Sequence, residues 1–283
     1  MSGKRKKISA VIFATVTILL LIGIILTSGG GGEEEDIKVV MRDAVLHERS
    51  KVSLFGLKDV NPGLISAYTV TAILILFALI VRIFVIPRFK MVPGKFQLLL
   101  EEAVGIFDNM AHDNSPHRNK MLGIYIFVAG AYIAIGTIFE LFGIQVPTTN
   151  GSTVVLPAPL ADINGAIAMG VMSYLFIMSG GIAGNKGKGI LMTLKDFSLP
   201  ISMSFRLFGA LLSGALVTEL VYYYVTVSFV VPVLVGVMFT LLHALIQAYV
   251  LTMLTALFYG EVSEVGEPKK PKKKTKRIEA EGV

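Results

Sequence analysis

One basic residue, Arg206, lies inside a long apolar stretch at residues 197–225. At helical spacing, the face that carries Arg206 also carries five small residues: Ser202, Gly209, Ala210, Ser213 and Gly214. An arginine within a membrane span costs free energy, so it usually faces protein or water and marks a functional pathway. The alternative is that Arg206, seven residues after Leu199, extends to the inner membrane surface. The small residues favour close approach to another helix.

A second apolar stretch, residues 228–260, carries a polar stripe. His243 and Gln247 are four residues apart, and Thr240 lies one turn before His243. For His243 alone, a hydrogen-bonded structural role is an equal alternative, but its occurrence with Gln247 opposite an arginine helix favours function. Glu219 follows Arg206 at about 20 Å along the helix axis, which is too far for a direct ion pair.

The composition predicts an all-α polytopic membrane protein. Of the 283 residues, 54% are hydrophobic, and they occur in runs long enough to cross a bilayer. The mean hydropathy is +0.72. The absence of cysteine excludes disulfides and thiolate metal sites. We expect no cofactor and no metal site.

The chain divides into four parts. Residues 1–28 join a basic start to an apolar run, which is typical of a signal-like segment or an N-terminal membrane anchor. Residues 29–62 form a polar exterior segment, residues 63–265 the membrane domain, and residues 266–283 a basic cytoplasmic tail.

About five membrane helices are predicted, at residues 64–86, 121–143, 161–183, 197–225 and 228–260. The last two pair as a C-terminal hairpin of long, steeply tilted helices that turns near Thr226. The final stretch would be about 50 Å long as a helix, whereas the hydrocarbon layer is about 30 Å thick. It must therefore tilt, break or lie partly in the interface. In this topology the basic residues outside 33–62 lie on cytoplasmic flanks, with Arg206 as the exception.

Two further segments are predicted on the cytoplasmic side. Residues 96–111 have an apolar stripe at helical spacing, which predicts a helix along the membrane surface. A helix packed on a soluble partner is the alternative. Residues 184–189 are rich in glycine and lysine but lack the spacing of a phosphate-binding loop, so a short basic inner loop is predicted.

The polar residues of the membrane domain sort by depth. The outer half contains Glu140, Asp162, Asn164, Glu219 and His243, with Thr240 close by. The inner end contains Ser202, Ser204, Glu261 and Glu264. Two polar half-paths separated by one fixed cation indicate an ion pathway that is interrupted in the middle.

Several motifs within residues 60–265 occur together. They are Pro200-Ile201-Ser202 before Arg206-Leu207-Phe208-Gly209; Gln247-Ala248-Tyr249 followed by Leu254-Thr255 and Ser263-Glu264; Val92-Pro93-Gly94-Lys95-Phe96-Gln97; and Ala161-Asp162-Ile163-Asn164. In this combination the sequence resembles subunit a of the F-type ATP synthase membrane sector. The resemblance implies that Arg206 is the essential stator arginine and that Gln247 is its neighbour on the last helix.

The resemblance also implies a non-catalytic, ion-translocating subunit of the cell (inner) membrane. Its partners would be a rotor ring of small hairpin c subunits, peripheral-stalk b subunits, the soluble ATPase head and the lipid bilayer, with no nucleic acid. Arg206, Gln247, Glu219 and His243 would take part in moving H⁺ or Na⁺. Glu140, Asp162, Asn164, Thr240 and Ser202 would line the access paths.

Three positions depart from the family's pattern. Ala215 stands where a carboxylate is common, and Glu219 comes one turn later. Thr240 stands at the family's polar position, with His243 one turn nearer to the glutamine. Ala210 replaces a common asparagine. The outer pair would then be preserved only if tilted helices compensate for these shifts.

Two other functional classes compete with this interpretation. A self-contained secondary ion transporter would show paired halves with interrupted helices at matching positions, and none is visible. A purely structural membrane scaffold would leave Arg206 unexplained. The sequence shows no nucleotide-binding motif, so the chain itself is not expected to hydrolyse ATP.

Overall fold

The computed structural model of the protein describes residues 52–54, 57–147, 153–223 and 231–264, together with Thr15, Ile18 and Arg42. The predicted segment 1–28, the predicted tail 266–283 and the turn near Thr226 lie outside this description, apart from Thr15 and Ile18. The described part of the chain is predominantly helical.

In the described part of the chain, five helical stretches are long and apolar enough to cross a membrane: Pro62–Arg88, Asn119–Phe142, Ile163–Asn185, Ser198–Thr218 and Val233–Ser263. They confirm the prediction of an all-α polytopic membrane protein.

We number the helices in chain order. They are α1 (Pro62–Ile80), α2 (Lys95–Asn114), α3 (Asn119–Phe139), α4 (Ile163–Asn185), α5 (Gly187–Lys195), α6 (Ser198–Tyr223) and α7 (Val231–Ser263). Helix α7 is continuous, so the described part of the long apolar stretch does not break. Tilting, or a position partly in the interface, therefore remains the prediction for a helix of this length.

The core lies where α3, α4, α6 and α7 pack together. The rings of Tyr125, Phe176 and Tyr259 stack in series, with centroids 4.0 Å and 4.9 Å apart, and so join α3, α4 and α7. Gly180 lies beneath the Tyr259 ring, where an added methyl group would lie 2.6 Å from Cδ2. The absence of a side chain at Gly180 thus lets α7 approach α4 closely.

The C-terminal end of α7 is fixed by the ends of α2, α3 and α4. His117 Nε2 donates to the Ser263 carbonyl at 3.0 Å, and Asn185 Nδ2 donates to the Val262 carbonyl at 3.0 Å. A methyl group at Gly184 would lie 2.8 Å from the Ser263 carbonyl carbon, and one at Gly260 would meet the Asn114 carbonyl. Backbone therefore packs directly on backbone, and side chains satisfy the last carbonyls of α7.

Helix α2 confirms the predicted helix at residues 96–111. The two halves of its apolar stripe have different surroundings. Phe107 packs edge-on against Phe127 of α3, with ring centroids 5.6 Å apart, and Met110 also packs on the core. Phe96 and Leu99 remain exposed. The N-terminal part of the stripe is thus uncovered among the described residues, which leaves both the membrane surface and a soluble partner as predictions, while the C-terminal part belongs to this chain's own core.

The predicted basic loop at residues 184–189 is wrong in extent. Helix α4 ends at Asn185 and α5 begins at Gly187, so the chain turns at Lys186, whose φ of 52° is left-handed. Tyr174 donates to the Thr193 carbonyl at 3.0 Å, which holds α5 against α4. The turn is this tight because Gly189 and Gly181 bring the two backbones into direct contact.

Two short antiparallel hairpins lie at the opposite end of the bundle. Strand β1 (Val52–Leu54) pairs with β2 (Leu57–Val60), and β3 (Gln145–Pro147) pairs with β4 (Thr153–Val155). They enclose a small apolar cluster formed by Val52, Ile65, Val70, Phe139 and Leu156. The predicted exterior segment and the outer loop at 144–160 therefore contain some regular structure that anchors them to α1 and α3.

Asn61 and Asp162 join the starts of α1 and α4. Asn61 Oδ1 accepts from Gly63 N at 2.9 Å, and Asp162 Oδ1 accepts from Asn164 N at 2.7 Å, so each residue caps its own helix. The Asn61 amide also donates to Asp162 Oδ2. The two caps thus form one connection between the helices.

Replacing Gly184 with alanine should destabilise the bundle by about 1–3 kcal/mol, because the new methyl group meets the backbone of Ser263. Gly105→Ala is the matched control, since nothing lies within 4 Å of its methyl position. We expect the control to be neutral or up to about 1 kcal/mol more stable, because alanine favours helix. Unfolding of the two purified variants in detergent measures the difference; equal stability would contradict direct backbone packing at Gly184.

Asp162→Ala should lower stability by about 1 kcal/mol, because it removes the cap of α4 and the acceptor for Asn61. Asp162→Asn should retain most of the stability, since its one amide oxygen can still cap α4 by accepting from Asn164 N, although the second acceptor for Asn61 is lost. Thermal unfolding of both variants tests the cap. Equal losses in the two variants would show that the contact with Asn61 or the charge, and not the cap, is what matters.

Candidate functional site

Arg206 lies on the exposed side of α6. Ser202, Gly209 and Ser213 are exposed with it, at helical spacing, while the adjacent Leu207 is buried. A methyl group at Gly209 would have no atom within 4 Å. The guanidinium is therefore presented on an open stripe of small residues, as their spacing predicts, with the exposed Phe205 to one side.

The small residues of α6 divide between a contact with α7 and the open face. A methyl group at Gly214 would lie 3.4 Å from His243 Nδ1, so this glycine provides room for the imidazole of α7. His243 is half-buried there, and its ring centroid lies 5.8 Å from that of Phe239. Gly214 thus belongs to the contact between α6 and α7, whereas Gly209 stays open.

Gln247 is buried, with 6% of its surface exposed. Its Oε1 atom has no hydrogen-bond partner among the described residues. Arginine has only donors, so Arg206 does not hydrogen-bond to this amide in the structure. A buried acceptor without a partner is costly, which identifies Gln247 as a position where a donor is missing.

The packing contacts set the relative levels of the helices. Gly180 lies against Tyr259 and Gly184 against Ser263, so α4 and α7 run in parallel at a constant offset. Ser204 of α6 contacts the backbone at Gly170 of α4. Counted along these helices, Arg206 lies at about the level of Gln247. The contact between Gly214 and His243 gives the same level to within about one turn. The two residues share a depth, but Arg206 is exposed and Gln247 is buried.

Counting residues along the helices from these contacts also puts most of the predicted outer groups at one level. The offset between α4 and α7 puts Asp162 and Asn164 near the level of His243. A methyl group at Gly130 would lie 3.2 Å from Thr252 Cγ2, and counting outward from this contact puts Glu140 there as well. Glu140 and Thr240 are half-buried, and Asn164 is exposed. The backbone of Glu219 lies in α6, but its side chain is outside the described part of the chain.

Of the predicted inner groups, Glu261 and Glu264 lie at the other end of the bundle, whereas Ser204 lies two residues from Arg206 on α6 and therefore near its level. Ser204 is buried, and its hydroxyl donates to the carbonyl of Pro200, one turn earlier in the same helix, at 2.7 Å. Its hydrogen bond is therefore made within α6. Glu261 and Glu264 are exposed at the end of α7. Among the described residues, no three His, Asp or Glu side chains could hold a metal ion together.

The predicted polar groups do not include Asn61, although its amide donates a hydrogen bond to Asp162 in the structure. A sequence signal for it exists, because Asn61-Pro62 is a helix cap followed by proline at the first helical position. Its pairing with Asp162 could not be found from spacing, since the two residues are far apart in the chain.

Comparison with known proteins gives a family match over the region that contains these residues. A sequence model of the family described as "ATP synthase A chain" matches residues 66–260, a range that includes Arg206, Glu219, His243 and Gln247. Two relatives named ATP synthase subunit a, from two strains of Cereibacter sphaeroides, are each 26% identical over 183 residues. The aligned region is 60% of this chain and 70% of each relative. The family model covers more than half of the sequence, and the chain therefore belongs to the ATP synthase A chain family.

Proposed function

We propose that this chain forms the ion half-channels of a rotary F-type ATP synthase. As a multi-pass member of its family, it is an ion-translocating subunit of the membrane sector and works with other ATP synthase subunits. The finer proposal is that it passes H⁺ or Na⁺ to and from carboxylates on a rotor ring of c subunits. The observation that carries it is the exposed Arg206 on the open face of α6.

The proposed surroundings follow from the same assignment. The chain lies in the cell (inner) membrane with its C-terminus in the cytoplasm, as the basic residues at 269–277 favour. It contacts the c ring, peripheral-stalk b subunits and lipid, and the soluble ATPase head belongs to the same complex. The chain itself is not catalytic.

Arg206 acts as a fixed counter-charge for the rotor. When a rotor carboxylate arrives opposite the guanidinium, attraction favours the ionised carboxylate, so its ion leaves toward one half-path. Ser202, Gly209 and Ser213 leave room for the passing helix. The cation also blocks direct ion movement between the half-paths. Gln247, buried at the same depth, offers its free Oε1 to a donor when the site is assembled.

The two half-paths open on opposite sides of the membrane. The outer path uses Glu219 and His243, with Glu140, Asp162, Asn164 and Thr240 at its mouth. The inner path uses Ser202 and the carboxylates at the end of α7. A membrane potential supplies about 2.3 kcal/mol per charge for each 100 mV, and loading from one side turns this energy into directed rotation.

Arg206→Ala should abolish coupled ion transport, because no fixed charge would then separate the half-paths. ATP-driven ion pumping in inverted membrane vesicles should fall at least about tenfold while the complex still assembles. Arg82→Ala is the control, since Arg82 is an exposed arginine at the end of another span. Robust pumping by Arg206→Ala would refute the proposal.

Glu219→Gln and His243→Ala should each slow pumping several-fold if these groups carry ions along the outer path. His112→Ala, a change at an exposed histidine of α2, should leave the rate unchanged. The stability of purified complexes must be measured in parallel, because His243 also packs on Gly214. Unchanged rates in both variants would remove them from the path. The same assay with and without sodium identifies the coupling ion.

A further inference from the structure

A cavity of about 410 Å³ lies where the first span turns into α2. Helix α1 continues through a π-helical turn at Val81–Val85 and a 3-10 turn at Ile86–Arg88, and the chain then reverses toward Lys95. The cavity is lined by Phe84, Val85, Arg88, Phe89, Lys90, Gly94, Lys95, Phe96 and Gln97. None of these residues belongs to α6 or α7, so the cavity is separate from the proposed ion path.

Three cations line this cavity without a carboxylate among them. The side chains of Arg88, Lys90 and Lys95 are exposed, and none forms an ion pair within the described part of the chain. The nearest acid along the chain, Glu101, accepts a hydrogen bond from Gln97 at 2.7 Å. The cavity therefore has an uncompensated positive charge of the kind that binds phosphate.

The loop that carries these cations is held in place. Gln97 Oε1 accepts from Lys90 N at 3.0 Å, and Gln97 Nε2 donates to the Lys90 carbonyl at 3.0 Å. Phe89 N donates to the Ile86 carbonyl at 3.1 Å. The first amides of α2 add a weak positive potential at the same place, since Gly94 supplies no side-chain cap. One glutamine thus fixes the shape of the cavity.

The position of the cavity favours a lipid headgroup over a free phosphate ion as its ligand. The span Pro62–Arg88 has only 6% of its most apolar window buried inside the chain, and Ile80, Ile83 and Phe84 are exposed above the cavity. Acyl chains can cover this apolar surface while a headgroup occupies the basic cavity below it. A free phosphate ion would use only the basic part.

We propose that this cavity binds the phosphate of an anionic phospholipid of the surrounding bilayer. The phosphate lies among Arg88, Lys90 and Lys95, and the acyl chains lie along the exposed side of α1. The proposal requires only that the chain spans the membrane, so it stands or falls independently of ion translocation.

Fluorescence provides a direct test, because the chain contains no tryptophan. Phe89→Trp introduces a single reporter in the cavity, and Phe96→Trp is a second reporter in case the first disturbs the loop. The full chain is reconstituted in phosphatidylcholine vesicles that contain brominated phosphatidylglycerol or brominated phosphatidylcholine as quencher. We expect phosphatidylglycerol to bind at the reporter at least about fivefold more strongly. Equal quenching by the two lipids at both reporters would overturn the proposal.

Two matched double variants separate a built site from general surface charge. Lys90→Gln with Lys95→Gln should remove the preference, whereas Lys186→Gln with Lys188→Gln removes two exposed lysines elsewhere and should preserve it. Gln97→Leu keeps all three cations but releases the loop, so the preference should fall at least about threefold. Equal losses in the two double variants would show a nonspecific charge effect and overturn the proposal. Loss of the preference in 10 mM inorganic phosphate, compared with 10 mM chloride, would show a soluble-anion site instead.

Discussion

The direct backbone contact between α4 and α7 determines the geometry of the whole bundle. At Gly184 and Ser263 the two helices meet without an intervening side chain, and His117 and Asn185 satisfy the last carbonyls of α7. Because this end is fixed, the level of every residue along α7 follows from its distance in sequence. The depth of Gln247 relative to Arg206 is therefore a consequence of packing at the far end of the helix.

Arg206 is then left in an unusual electrostatic position. It lies in an apolar, membrane-length helix, but its face among the described residues is open and it does not hydrogen-bond to the buried Gln247. A cation in a span needs a counter-charge, water or a hydrogen-bond acceptor to offset its desolvation. Among the described residues Arg206 has no ion pair or hydrogen bond at the free face of α6, which is consistent with a site that another subunit of the complex completes.

The local pattern of the sequence was sufficient to predict the spans, the amphipathic helix and the open face of Arg206. These features depend on hydropathy and helical spacing, which neighbouring residues determine. The turn at Lys186 could not be predicted in this way, because it depends on Gly189 of α5 meeting Gly181 of α4. The pairing of Asn61 with Asp162 likewise depends on tertiary contact. The predicted role of Asp162 in an access path remains a prediction beside its observed role as a cap.

The contact between Gly214 and His243 shows that the small residues on α6 do not all have the same surroundings. In the sequence they form one uniform face, but in the structure α7 occupies its outer end and leaves the section around Gly209 open. A partner helix can therefore approach Arg206 closely, while farther outward it meets the edge of α7. The imidazole of His243 lies at that boundary, about two turns from Arg206 along α6. Packing of α6 on α7 at Gly214 thus leaves the fixed cation and the imidazole at different levels along α6.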